Sequence, residues 1–178
     1  GARYKAFATY REAEEAFRDP RGRQAPVAVR PGKDTGTGRI PAGQSLPESY
    51  AVDAACSGNP GVLEYRCIHT GTGAEIFREG PFENGTNNIG EFLAIVDALR
   101  RLKNDNSAMP VYSDSKVAIG WVRKGRCGTK HGRTAENADL FRRIEEAEAW
   151  LRTHSYDNDI RKWYTDAWGE IPADFGRK

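Results

Sequence analysis

The spacing of hydrophobic and polar positions changes along this chain, and the changes mark out its elements. Tyr50-Ala-Val-Asp-Ala-Ala-Cys56 is a short apolar run, the pattern of a strand buried on at least one face. Ser57-Gly-Asn-Pro-Gly61 is dense turn chemistry, so the chain is expected to reverse here and return as a second strand. Val62 to Thr70 and Ala74 to Phe82 read as strands joined by Gly71-Thr-Gly73, which completes a three-stranded antiparallel meander. From Asn87 to Lys103 the period becomes helical, with Phe92, Ile95, Val96, Leu99 and Leu102 on one side. Met109 to Ser113 is a short strand, Ser115 to Lys124 a helix and Ala135 to Thr153 a longer helix. Ile160 to Tyr164 is a last strand, and a short helix is expected from Ala173 onward. Antiparallel strands followed by strand–helix alternation predict an α/β domain with a mixed sheet flanked by helices.

The first 48 residues follow no such pattern. Thr9 followed by Glu12 is a capping-box signature for a short helix within residues 1–18. Residues 19–48 are rich in Pro, Gly and Arg and are expected to be a flexible linker, with the compact domain beginning near Ser49.

Composition narrows the class. The 178 residues suffice for one ordinary domain with an appendage, and 38% apolar content describes a globular chain. Apolar runs of membrane-span length and a signal-peptide core are both missing from this sequence, and three cysteines (Cys56, Cys67, Cys127) lack metal-ligand spacing. Free thiols in a reducing, cytoplasmic setting and a monomer without protein partners are the expectation. A net charge of +2 does not announce a nucleic-acid binder. Arg123 to Arg133, however, holds five Lys/Arg, His131 and no acid, a patch able to neutralise phosphates or simply a solvated loop.

Candidate chemistry lies in four acids. Asp53 interrupts an apolar strand, where a carboxylate must be paired, protonated or metal-bound unless it caps the turn. Glu91 shares a helix face with Ala94 and Ala98, toward the sheet. Asp114 closes a strand and Asp174 opens the expected terminal helix, and both have helix capping as the competing role. Four acids at element ends or facing a sheet form an oxygen-rich set suited to Mg²⁺ or Mn²⁺.

Val52-Asp-Ala-Ala-Cys-Ser-Gly-Asn-Pro-Gly61, Gly85-Thr-Asn-Asn-Ile-Gly-Glu91 and Val111-Tyr-Ser-Asp-Ser115 together resemble the motifs of type 1 ribonuclease H, in order and approximate spacing. The resemblance covers residues 49–178. It implies a five-stranded mixed sheet flanked by helices, and two Mg²⁺ ions for endonucleolytic cleavage of the RNA strand of an RNA–DNA hybrid, leaving 5′-phosphate ends. Matched position by position, Asp53, Glu91, Asp114 and Asp174 are the catalytic, metal-binding acids. Cys56, Asn59, Thr86, Asn87 and Asn88 match residues lining the nucleic-acid groove. The resemblance also gives the basic segment a role on the DNA strand, with Arg123, Lys124, Arg126 and Lys130 as candidates. Trp121 and Trp163 could stack on substrate, though core packing is the expected role for both. Residues 1–17 resemble the tail of a viroplasmin-like hybrid-binding module whose first half is missing here.

The sequence departs from the family pattern in one loop. Lys162-Trp-Tyr-Thr-Asp-Ala-Trp-Gly-Glu170 has no His before the fourth acid, so the role that the family gives that His is either vacant or filled by Glu170 or Asp166. Two rivals share some of these features. A 3′–5′ exonuclease or transposase-type nuclease would have the acid cluster without the paired Ser-Gly-Asn-Pro-Gly and Thr-Asn-Asn segments. A non-catalytic hybrid binder would have no need of concentrated negative charge opposite a polyanion.

Overall fold

The turn after the first apolar run does reverse the chain. The structure, a computed structural model, describes residues 47–176. In it β1 (Tyr50–Cys56) leads through Ser57–Pro60 into β2 (Gly61–His69), and β3 (Glu75–Gly85) pairs antiparallel to β2. The chain continues as α1 (Asn87–Asn104), β4 (Val111–Ser113), α2 (Lys116–Arg123), α3 (Ala138–Thr153), β5 (Ile160–Lys162) and a one-turn α4 (Thr165–Trp168). The strand order β3-β2-β1-β4-β5, antiparallel through β1 and parallel beyond it, is the expected five-stranded mixed sheet. The segment 1–18 and all of 19–48 except Pro47 and Glu48 lie outside the described residues.

Strand parity sorts the core into two parts. Tyr50, Val52 and Ala54 of β1 face a main core with Leu63, Tyr65 and Cys67 of β2 and the buried side of α1. Ala51 points the opposite way, into a smaller cluster with Ile68, Tyr112, Trp163, Ile171 and Ala173. Asp53 has the parity of Ala51, so it lies on the side of the smaller cluster. Fully burying side chains such as Phe92, Leu93, Ile95 and Leu99 contributes roughly 1.5–3 kcal/mol each, which makes α1 the central helix. Its close approach depends on Gly90. A Cβ there would stand 2.6 Å from Leu63 Cδ1 and 2.7 Å from the Cβ of Ala54. The next residue is Glu91, so this contact also sets the height of that carboxylate above β1.

A polar network locks α3 to the sheet. Tyr65 Oη donates to Asp97 at 2.8 Å, while Arg143 donates to Tyr65 Oη and to Glu79 and lies over Phe82. Asp97 also pairs with Arg100. Cys56, Cys67 and Cys127 are free thiols, as expected.

The C-terminal segment departs from expectation. A helix does not begin at Ala173; instead Asp174 N donates to Ile171 O at 2.8 Å and closes a turn. Gly176 at φ 64° is in the left-handed region and ends any helical continuation. α4 was not expected, and its four residues offer too little periodicity to read. No described helix is long and apolar enough to cross a membrane.

Candidate active site

Asp53 is at the centre of β1 rather than at its end, so turn capping is not its role. It is 8% exposed. Glu91, in the second turn of α1, reaches back to the same strand and is 3% exposed. Its Oε1 accepts from Ala54 N at 3.3 Å and its Oε2 from Ser113 Oγ at 3.0 Å. Ser113 Oγ in turn accepts from Ser115 N at 3.1 Å, which ties the helix carboxylate to the end of β4. Asp114 follows immediately. The cap of α2 is Ser115, whose Oγ accepts from Ala118 N at 3.1 Å, so Asp114 is relieved of capping and faces the other two acids. Ligand oxygens of Asp53, Glu91 and Asp114 all lie within 4.8 Å of one another.

Electrostatics show what the trio lacks. Burial, with the charges of Asp114 and Asp174 nearby, pushes the Asp53 carboxyl up to about 6. Burial, followed by the adjoining Asp53 carboxyl, raises Glu91 well above the usual carboxylate range. The Asp53 and Glu91 carboxyls approach within 4.8 Å of each other, so ionising one makes ionising the other more costly. Buried like charges at this separation need either protons or cations. An all-oxygen donor set with one partly open member fits a hard divalent ion that keeps some of its waters.

Asp174 falls outside the tight trio. Its charge is felt by Asp53, but its Oδ2 accepts from Gly176 N at 2.8 Å. The turn carrying it is held from β2. Arg66, the cross-strand partner of Asp53, donates to Ala173 O at 2.9 Å and to Asp174 O at 2.5 Å. Sequence reading passed over Arg66 and Ser113, since one arginine or serine in a strand carries no signal of a tertiary partner.

The groove candidates gather at one edge. Cys56 Sγ donates to Gly85 O at 3.4 Å, and Gly61 is in register with Gly85. The turn with exposed Asn59 is thereby brought beside Thr86, Asn87 and Asn88 at the start of α1. Thr86 occupies the N-cap position without a side-chain cap bond, so its hydroxyl is not spent on the helix; Asn87 and Asn88 are exposed. A second link runs from the basic segment. His131 Nε2 lies 2.9 Å from Asn84 O, and the buried Asn137 amide donates to Asn84 O and Gly132 O.

The basic candidates separate into two places. Arg123, Lys124 and Arg126, joined by Arg152 and Tyr156 of the α3 side, line a cavity of about 510 Å³; Lys130 is not among its lining residues. Arg123 also donates to Ile160 O at 3.1 Å. Trp163 is buried in the smaller core, and Trp121 packs edge-on to Phe92 in the main one. Packing therefore accounts for both tryptophans.

Known proteins resemble this chain in sequence. A ribonuclease H from Cupriavidus metallidurans is 32% identical over 118 residues, covering 58% of this chain and 80% of its own length. One from a Thermoanaerobacter strain is 36% identical over 124 residues, covering 61% and 78%. Among solved structures, ribonuclease H1 of the archaeon Halobacterium salinarum aligns at a TM-score of 0.39 and 22% identity, over 65% of this chain and 83% of that one. The sequence model described as RNase H matches residues 48–161, well over half of the chain. The chain belongs to the RNase H family of enzymes.

Proposed function

We propose that this protein hydrolyses the RNA strand of RNA–DNA hybrids endonucleolytically, with two Mg²⁺ ions held by Asp53, Glu91, Asp114 and Asp174. The observation that carries the reading is the convergence of three carboxylates from β1, α1 and the end of β4 within 4.8 Å, beside a polar edge built by Cys56, Asn59, Thr86, Asn87 and Asn88. One related solved structure is a ribonuclease H1 bound to an RNA/DNA hybrid. When bound, the metal pair supplies charge that activates a water and stabilises a leaving oxygen.

The residues of the chain do the rest. Asp53 and Glu91 hold charge where burial makes it most costly without a cation. Ser113 and the amide of Ala54 fix the orientation of Glu91. Asp114, partly open, is positioned to share a ligand with solvent or substrate. Thr86, Asn87 and Asn88, with the turn at Asn59, offer donors and acceptors to sugars and phosphates, and a 2′-hydroxyl is what distinguishes the RNA strand. Arg123, Lys124, Arg126 and Lys130 are assigned to the DNA strand. Glu170 and Asp166, both exposed before the fourth acid, are the candidates for proton transfer in place of a histidine. Residues 49–178 form the catalytic domain in this reading, with 19–48 as linker and 1–18 as a remnant of a hybrid-binding module.

The test is cleavage of matched 20-mer hybrid, duplex RNA and duplex DNA with Mg²⁺, with Mn²⁺ and with EDTA. Metal-dependent cleavage confined to the RNA of the hybrid is expected. Cleavage of duplex DNA from its ends would instead favour an exonuclease.

A further inference from the structure

We infer that Arg66 is a positioning residue for the fourth acid: it fastens the backbone of Asp174 to β2 directly across from Asp53, and so sets whether that acid can join the other three. This inference rests on the proposed metal-dependent cleavage.

The case begins with what does not hold Asp174. It belongs to no helix or strand; it closes a turn with Ile171 and lies two residues before Gly176, which is in the left-handed region. Among residues 171–176, Ile171 and Ala173 are anchored by burial in the smaller core, and that anchoring ends one residue short of the acid. The carbonyls of Ala173 and Asp174 both accept from one guanidinium, that of Arg66. Nε donates to Ala173 O at 2.9 Å and Nη2 to Asp174 O at 2.5 Å. Two donors in a fixed plane meeting two successive carbonyls define both the position and the rotation of the peptide between them. A lysine carries the same charge but has no such fork.

Arg66 is itself held on two further sides. Its Nη1 donates to Glu75 at 3.3 Å, and its guanidinium lies over the Phe175 ring, 4.7 Å from the centroid. Arg78 approaches the same ring at 5.2 Å and pairs with Glu64. Phe175 therefore packs under two cations, adding a contact on the far side of the acid. The register partner of Arg66 is Asp53, and directly opposed residues of an antiparallel pair project to the same face of the sheet. The latch thus fixes Asp174 relative to the strand that carries the central acid, through side-chain to main-chain bonds backed by the packing of Phe175.

Outer partners that orient metal ligands typically govern affinity by 10–100-fold. Arg66→Ala and Arg66→Lys should both raise the Mg²⁺ concentration for half-maximal cleavage about tenfold or more and lower kcat, with KM for hybrid changed less than about threefold. Two readouts stand apart from activity. Calorimetric Mg²⁺ titration of the free protein should show the same weakening, and amide exchange at Phe175 and Gly176 should accelerate while β1 and β2 stay protected. Asp174→Asn should reproduce the kinetic defect, and adding Arg66→Ala to it should cause no further loss. Full activity and unchanged Mg²⁺ binding in Arg66→Lys would overturn the role of the fork. Additive losses in the double variant, with β1 still protected, would overturn action through Asp174. If wild-type protein fails to cleave hybrid at all, the functional reading fails instead, and the exchange measurement still decides the latch.

Discussion

Asp53→Asn should make the metal-free protein more stable while abolishing cleavage. The Asp53 carboxyl is raised from 3.8 to about 6 by burial and by the neighbouring acids. The folded protein therefore holds this proton more tightly than the unfolded chain does. Stability accordingly falls as pH rises from about 4 to beyond 6, and the deficit is complete above that window. A difference of about two pH units corresponds to about 3 kcal/mol at most. An asparagine removes that deficit but must itself be buried, leaving a net gain of roughly 1–3 kcal/mol. For a chain of this length that is a Tm increase of roughly 3–10 °C. Thermal unfolding in EDTA at pH 8 and pH 4.5, with wild type and variant side by side, measures it. A gain at pH 8 that vanishes at pH 4.5 is expected. A loss at pH 8, or the same gain at both pH values, would refute the electrostatic account of the site.

The same reasoning extends to other perturbations. Saturating Mg²⁺ should raise the Tm of the wild type at pH 8 and scarcely at pH 5, where protons compete for the carboxylates, and the pH 8 effect should be lost in Asp53→Asn; calorimetric scans at both pH values decide it. Ser113→Ala removes a hydrogen bond that lowers the Glu91 pKa and leaves Ser115 N without its acceptor, so the acidic limb of the pH–rate profile should move to higher pH, with a stability loss of about 1–2 kcal/mol in urea unfolding. Gly90→Val drives atoms into Leu63 and Ala54 and should cost about 2–3 kcal/mol in the same assay; a neutral result would mean that α1 can retreat freely from the sheet. Converting Lys124, Arg126 and Lys130 to alanine should weaken hybrid binding and flatten its dependence on salt, and an unchanged slope would remove these cations from the interface.

Local chemistry made much of this architecture legible. The Ser57–Gly61 turn, the helical spacing from Phe92 to Leu102 and the short apolar strands all act over a few residues, and each element formed close to where its pattern began and ended. Asp53 and Glu91 stand out because a carboxylate in an apolar run or on a sheet-facing helix side needs a partner, although turn capping competes for Asp53 until β1 is seen to continue to Cys56. Asp114 was ambiguous until the neighbouring Ser115 was seen to cap α2, a choice between adjacent residues that no spacing rule settles. Beyond Ile160 the reading weakened. Residues 165–176 are held by tertiary contacts, namely burial of Trp163 and Ile171 and the reach of Arg66 across about 107 positions of chain, and such contacts leave no periodic trace. Likewise Arg152 and Tyr156 join Arg123 and its neighbours only because α3 returns alongside α2.

The division of the interior into two unequal clusters has an optical consequence. Trp163 and Trp168 belong to the smaller cluster, with Trp163 Nε1 donating to Gly169 O at 2.8 Å, whereas Trp121 and Trp150 pack against the helical layer. Replacing Trp121 and Trp150 by phenylalanine would leave indole emission only from the layer beneath the fourth acid, turning that small patch into a built-in reporter of whether the chain's last described turn is seated or lifted.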